Sequence, residues 1–176
     1  MVFKEEYGEH WDDLMWLDNY NPYRKHGEKN PSFNAYSGFL LDLKENQTGA
    51  VERFRRAVET YIATDIAIAV VPSHDPAKTT SGLRSLAVAL AANDRIDATS
   101  CLVRSKKIDK LAHGGDRSIE VHLGSIIVRN AELIKGQDVL LLDDVATSGN
   151  SLEACRQLLL KAGAARVQKL ALGKTV

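Results

Sequence analysis

Two adjacent carboxylates, Asp143 and Asp144, stand directly behind the apolar run 139–142 and directly ahead of a short polar loop, 145–151. Ionised carboxylates only accept hydrogen bonds, and a vicinal diol such as the 2- and 3-hydroxyls of ribose offers two donors. The loop adds the hydroxyls of Thr147 and Ser148 and the backbone N–H groups around Gly149. It opens into the stretch 151–163, where Leu152, Cys155, Leu158, Leu159 and Ala162 share one helical face and Gly163 marks the stop. The first turn of a helix has free N–H groups and the positive end of the dipole, which suits a phosphate. Gly149 lets the backbone come close to such an anion. One loop thus offers a diol site at one end and a phosphate site at the other, the two ends of a ribose 5-phosphate. The competing reading is ordinary helix capping, by Ser148 or by Asn150 with Glu153 as a capping box.

Other phosphate and catalytic patterns fit less well. A Walker A loop needs Lys after its glycine, and Asn150 follows Gly149. No G-x-G-x-x-G run is present, and Val145 stands where an aspartyl phosphatase would have its second Asp. Ser73, His74 and Asp75 are consecutive, whereas hydrolase triads are assembled in space from separate segments. The five histidines (His10, His26, His74, His113, His122) show no metal-ligand spacing.

The elements that would carry this loop read as an α/β domain. The clearest buried strand is 137–144, and 66–72 is a second continuous apolar run of the kind covered on both faces. Strands are also expected at 38–44, 98–104, 125–130 and 165–173, and helices at 49–63, 81–93 and 151–163. Such alternation predicts a mainly parallel sheet flanked by helices. Ligands bind beyond the carboxyl ends of such strands, where the acidic loop falls. Residues 1–37 hold both tryptophans and four of the five tyrosines, and are expected to form an irregular hood on a domain spanning 38–176. The chain has 176 residues, 44% of them apolar and 26% charged, enough for one full core. A net charge of zero gives no basic field for nucleic acid. No run reaches the ~18 apolar residues of a membrane span. Cys101 and Cys155 are far apart and read as free thiols of a reducing compartment. With the acidic N-terminal stretch, they point to the cytoplasm.

The thirteen residues VLLLDDVATSGNS, 139–151, resemble the ribose-phosphate signature of the type I phosphoribosyltransferases. Ala146 departs from it, where a larger aliphatic residue is usual. The resemblance implies the type I fold, use of 5-phosphoribosyl-1-pyrophosphate (PRPP) with Mg²⁺, and transfer of phosphoribose to a nitrogen nucleophile. It implies that Asp143 and Asp144 contact the ribose hydroxyls and meet the metal only indirectly, through PRPP or water. Val145, Ala146, Thr147, Ser148, Gly149, Asn150 and Ser151 would wrap the 5-phosphate. The loop after strand 66–72 would bind pyrophosphate through Ser73, His74 and Lys78. The basic segment 104–118 is similar to the hood loop that closes over PRPP, with Arg104 and Lys107 as catalytic cations, Arg117 on pyrophosphate, and Gly114-Gly115 as a hinge. The order of these parts is similar to the competence-protein-F-like branch. Trp11, Trp16, Tyr20 and Tyr23 are candidates for stacking on a base, with core or lid packing as the alternative. A nucleoside 5-monophosphate is the expected second ligand, and a homodimer the assembly the family suggests. Two other functions use the same loops: a sensor of PRPP or nucleotide without turnover, and hydrolysis of a phosphoribosyl compound.

Overall fold

The computed structural model describes residues 2–4, 14–108 and 118–176. In chain order the elements begin with strands β1 (Leu14–Tyr20), β2 (Arg24–Lys25) and β3 (Glu28–Lys29), helices α1 (Ala35–Lys44) and α2 (Thr48–Glu59), and strand β4 (Ala67–Val70). They continue with α3 (Gly82–Ala91), β5 (Ile96–Asp97), β6 (Leu102–Arg104), α4 (Ile119–Leu123), β7 (Ile126–Val128), β8 (Asp138–Ala146), α5 (Asn150–Lys161) and β9 (Arg166–Thr175). The central sheet has the order β1-β9-β8-β4-β5 and every pairing in it is parallel. Strands β6 and β7 form a separate antiparallel ribbon, and β2 and β3 a small hairpin.

Alternation along β8 explains the layers. Leu140 and Leu142 face one side with Ile68, Val70, Leu170 and Leu172, where Leu40, Leu43, Phe54, Val58, Leu86 and Leu90 of α1, α2 and α3 cover them. Val139 and Leu141 face the other side with Ala67, Ala69, Val167 and Ala171, under Leu152, Cys155 and Leu159 of α5 and Leu102 and Ile126 of the ribbon. Each fully buried Leu or Ile contributes roughly 1.5–3 kcal/mol, so the two faces together fix the register of the strand between them. From β4 the chain runs outward through α3 to β5. It then returns to the opposite flank of β4 for β8 and goes on to β9. This reversal between β4 and β8 opens a crevice at their carboxyl ends.

Two expectations for the N-terminal region are corrected. The segment 38–44, read as a strand, belongs to helix α1. The side-chain oxygen of Asn34 caps it by accepting from Ser37 N at 2.8 Å, and Lys44 sits in its last turn. The triplet Phe39-Leu40-Leu41 is too short for periodicity to separate strand from helix; the buried pair Leu40 and Leu43 makes the core-facing stripe. The segment 14–20, read as irregular, is β1, paired to β9 from Leu14 opposite Lys169 to Tyr20 opposite Thr175. An edge strand bonds on one flank only and tolerates mixed polarity, so LMWLDNY lacks the apolar run of a central strand. Short β5 and α4 also form where no element was expected.

Two glycines seat these N-terminal elements. A Cβ on Gly82, at the start of α3, would lie 1.8 Å from the Leu43 carbonyl oxygen of α1. A Cβ on Gly173 of β9 would lie 2.6 Å from Leu40 Cδ1 and 3.1 Å from Tyr20 Cβ. Among the described residues, no helix is long and apolar enough to cross a membrane.

An alanine in a helix is ordinarily favoured over glycine by about 1 kcal/mol. At position 82 the close approach reverses that sign, because backbone must shift to admit the methyl group. Gly82→Ala is expected to lower stability by about 2 kcal/mol, read as a fall in the thermal midpoint; a raised midpoint would refute the contact.

Candidate active site

Asp143 and Asp144 lie near the carboxyl end of β8, where successive side chains point to opposite faces of the sheet. Asp143 turns to the α5 side. Its Oδ2 accepts from Ser151 Oγ at 3.1 Å and its Oδ1 from the Asp144 N–H at 2.9 Å. Asp144 turns to the α1 side. Its Oδ1 accepts from the Val145 N–H at 2.6 Å, and its Oδ2 is 3.7 Å from Lys44 Nζ. Loss of solvent and then repulsion from Asp144 push the Asp143 carboxyl up to about 7, against the pull of Ser151, the Asp144 N–H and Lys44.

The loop after the acidic pair ends at an open helix terminus. Gly149 holds the N-cap position of α5 at φ 82°, in the left-handed region, and has no side chain with which to cap the first turn. The capping box is absent, and Ser148 gives the first turn one long contact. Ser148 Oγ reaches only the Asn150 N–H, at 3.4 Å, and Glu153 turns away to Lys169 Nζ at 2.7 Å. By contrast Asn34, Ser81 and Ser118 cap α1, α3 and α4. Thr147 Oγ1 lies 3.0 Å from Thr175 Oγ1, which ties this loop to the end of β9. Ala146 is buried and packs under α5, consistent with a role in packing.

The opposite wall is the loop after β4. Arg104 is 4% exposed, and its guanidinium holds that loop: Nε donates to the Ser73 carbonyl at 2.9 Å and Nη2 to the Pro72 carbonyl at 3.4 Å. Nη1 donates to Ser125 Oγ at 2.7 Å, and Nη2 lies 3.5 Å from Nδ1 of buried His122. Arginine only donates, so that contact requires an unprotonated Nδ1. Asp75 Oδ1 accepts from the Ala77 N–H at 2.9 Å and Oδ2 pairs with Lys107 Nζ at 3.2 Å; both hold its carboxyl below the usual range, the backbone bond first.

These walls enclose a cavity of about 780 Å³ in the β4/β8 crevice, within the range of small-molecule sites. The expected residues Ser73, His74, Lys78, Arg104, Asp143, Asp144, Val145, Thr147 and Ser151 line it. Lys107 does not, since its side chain is 69% exposed and tied to Asp75, and neither do Ala146, Ser148, Gly149 and Asn150 of the expected phosphate loop. Arg117, Lys110, His113 and the Gly114-Gly115 pair lie outside the described residues, as do His10 and Trp11. Of the remaining aromatics, Tyr20 lines the cavity. Trp16 lies under Lys174 Nζ at 4.5 Å and Tyr23 packs edge-on against Phe33 at 5.2 Å. Lys44, Thr175 and His122 also line the cavity and were not expected there. The helical punctuation of α1, Asn34 before it and Lys44 in its last turn, is the signal that finds Lys44.

A family model described as phosphoribosyl transferase domain matches residues 84–172. An adenine phosphoribosyltransferase of Treponema denticola is 36% identical over 64 residues, which cover 36% of this chain and 34% of that relative. The match therefore spans about a third of the relative's length. A purine phosphoribosyltransferase structure from Pyrococcus horikoshii aligns at 18% identity over 80% of this chain and 86% of that one, with a TM-score of 0.36. A phosphoribosylpyrophosphate synthetase structure from Mycobacterium smegmatis aligns at 16% identity over 73% and 33%, also with a TM-score of 0.36.

The Asp143 environment links the site to stability. The folded chain holds this proton up to about pH 7 and the unfolded chain only to about 3.8. Stability from this group is therefore greatest below pH 4, falls as pH climbs through that window, and levels off above it. Asp143→Asn should stabilise the fold at pH 8 by roughly 2 kcal/mol after the loss of one accepting oxygen, read as a raised thermal midpoint. The gain should vanish near pH 4. A variant less stable than the wild type at pH 8 would contradict the assignment.

Proposed function

Because this chain belongs to the type I phosphoribosyltransferase family, we propose that it transfers phosphoribose from PRPP to a nitrogen nucleophile, a base or an amine, with release of pyrophosphate. One observation carries the reading. A single cavity brings together the acidic pair, Thr147 and Ser151 at the start of α5, and the loop held by Arg104. Diol acceptors and anion donors thus face one space, as a phosphorylated ribose requires.

In this reading the 5-phosphate sits at 145–151, held by backbone N–H groups and the Thr147 and Ser148 hydroxyls at the positive end of α5. Asp143 and Asp144 accept from the ribose hydroxyls. Their negative charge also favours the cationic character that develops on the ring as the C1–O bond breaks and the electron pair leaves with pyrophosphate. The nucleophile's lone pair forms the new C1–N bond. The loop with Ser73, His74 and Lys78 receives the pyrophosphate, and Arg104 holds that loop in shape through the Pro72 and Ser73 carbonyls. Catalysis of this kind is positioning and electrostatics. Lys107, Arg117 and Tyr20 belong to the proposal as a rim cation, a pyrophosphate contact and a surface for the incoming nucleophile.

Mg²⁺ fits this donor set as a companion of the ligand. Among the described residues no three His, Cys, Asp or Glu side chains gather into a metal cage. The acidic pair already serves two N–H groups, Ser151 and Lys44. A hard cation that takes most of its oxygens from phosphate and water suits such a site, with Asp143 and Asp144 acting through PRPP or water. When bound, Mg²⁺ supplies charge neutralisation at the pyrophosphate oxygens. Cytoplasmic location and a homodimer complete the proposal; the two free, buried thiols suit a reducing compartment.

One observation favours the alternative of a sensor that binds PRPP or a nucleoside 5-monophosphate without turnover. Two cations expected to stabilise the leaving group are engaged elsewhere, Arg104 with backbone carbonyls and Lys107 with Asp75. Incubation with Mg²⁺, PRPP and a panel of bases and amines separates the two, because transfer releases pyrophosphate and sensing does not. Calorimetry should show PRPP binding to the wild type. Affinity should fall roughly tenfold or more in the double variant Asp143→Asn, Asp144→Asn, which loses charged acceptors. Unchanged affinity in that variant removes the ribose assignment.

A further inference from the structure

We propose that Lys44 is a positioning residue of this site: from the end of α1 it neutralises Asp144, so that a cavity built around two carboxylates still admits a polyanion. The inference rests on reading the cavity as a phosphoribosyl site and adds a part supplied from outside the 84–172 match.

The geometry follows from strand alternation. Asp143 shares its face with α5, whose open N-terminus is a positive field. Asp144 faces α1, where Lys44 Nζ lies 3.7 Å from its Oδ2 and 5.5 Å from the Tyr20 ring centre. The ring steadies the ammonium by a cation–π contact. The placement is built in by close packing, since Gly82 admits the Leu43 carbonyl that directly precedes Lys44, and Gly173 admits Leu40 and Tyr20.

Charge counting shows why it matters. Among the described residues the charged side chains lining the cavity are Lys44, Lys78 and Arg104 against Asp143 and Asp144, a formal balance of plus one with both carboxylates ionised. Without Lys44 the balance is zero. Arg104 is also turned to the loop carbonyls, so among the described residues Lys78 is the other lysine lining the cavity.

Inorganic pyrophosphate is a suitable probe, because it needs no diol contact with the carboxylates. Its binding to the full chain is measured by calorimetry at low salt. Lys44→Met should weaken it roughly five- to tenfold, and the loss should shrink as salt screens the charges. Lys44→Arg should stay within about twofold of wild type. Asp144→Asn should tighten binding by a similar factor. The double variant Lys44→Met, Asp144→Asn should return to within about twofold of wild type, the coupling that a counter-ion predicts. Thermal midpoints report the fold of each variant. A double variant as weak as Lys44→Met alone would make Lys44 a direct phosphate contact and overturn the proposal. So would an unchanged Lys44→Met, or a wild type that does not bind pyrophosphate. Wild type that binds pyrophosphate but not PRPP would defeat the transfer reading and leave the Lys44 assignment standing.

Discussion

Consecutive residues of β8 must face opposite sides of a sheet that is covered on both faces, and this constraint organises the site. Four apolar residues, Val139, Leu140, Leu141 and Leu142, satisfy it by burying alternately under α5 and under α1 to α3. The next two residues inherit the alternation while the cover thins toward the crevice. Asp143 falls under α5 and finds Ser151; Asp144 falls under α1 and finds Lys44. Two neighbours in sequence thus become two acceptors with different surroundings. A one-residue slip in register would exchange them and expose the apolar pair sets.

That arrangement carries a cost in stability. A carboxyl withdrawn from water beside a second carboxyl is unfavourable when ionised, and this pushes Asp143 toward its neutral form. The partners that surround the pair offset the cost only in part. Such strain is common at ligand sites, where groups are held ready for a partner that the free protein lacks. Helix α5 begins at a glycine with no capping side chain, as α2 begins at Gln47 without one, whereas α1, α3 and α4 are capped.

The remaining walls are held by parts that lie outside the stretch 139–151. Arg104, on the ribbon strand β6, uses its planar fork to fasten the loop after β4 through Pro72 and Ser73. Strand β1 adds an edge to the sheet beyond β9 and places Tyr20 at the cavity. Helix α1 closes the same side. Gly82 and Gly173 permit both approaches, and each does so by the absence of a methyl group. The N-terminal segment is therefore bonded into the central sheet through β1.

Local chemistry determined what the sequence could show by itself. The long apolar runs of β4 and β8, the stripe of α5 and the loop between β8 and α5 are decided by neighbours within a few residues, so strand, helix and the loop joining them were all legible. So was the place of the cavity, because alternating strands and helices imply a parallel sheet and sites at its carboxyl ends. The identities of α1 and β1 were not legible, since a short apolar triplet and a mixed-polarity edge strand acquire their state from what they pack or pair against. Likewise the partners of each carboxylate, the turning of Arg104 to backbone carbonyls and the arrival of Lys44 depend on contacts between distant segments. For the loop at 143–149, local sequence alone determined which groups it offers. Tertiary structure decided which face each carboxylate looks to, because the direction of a strand residue is set by the register of the whole sheet.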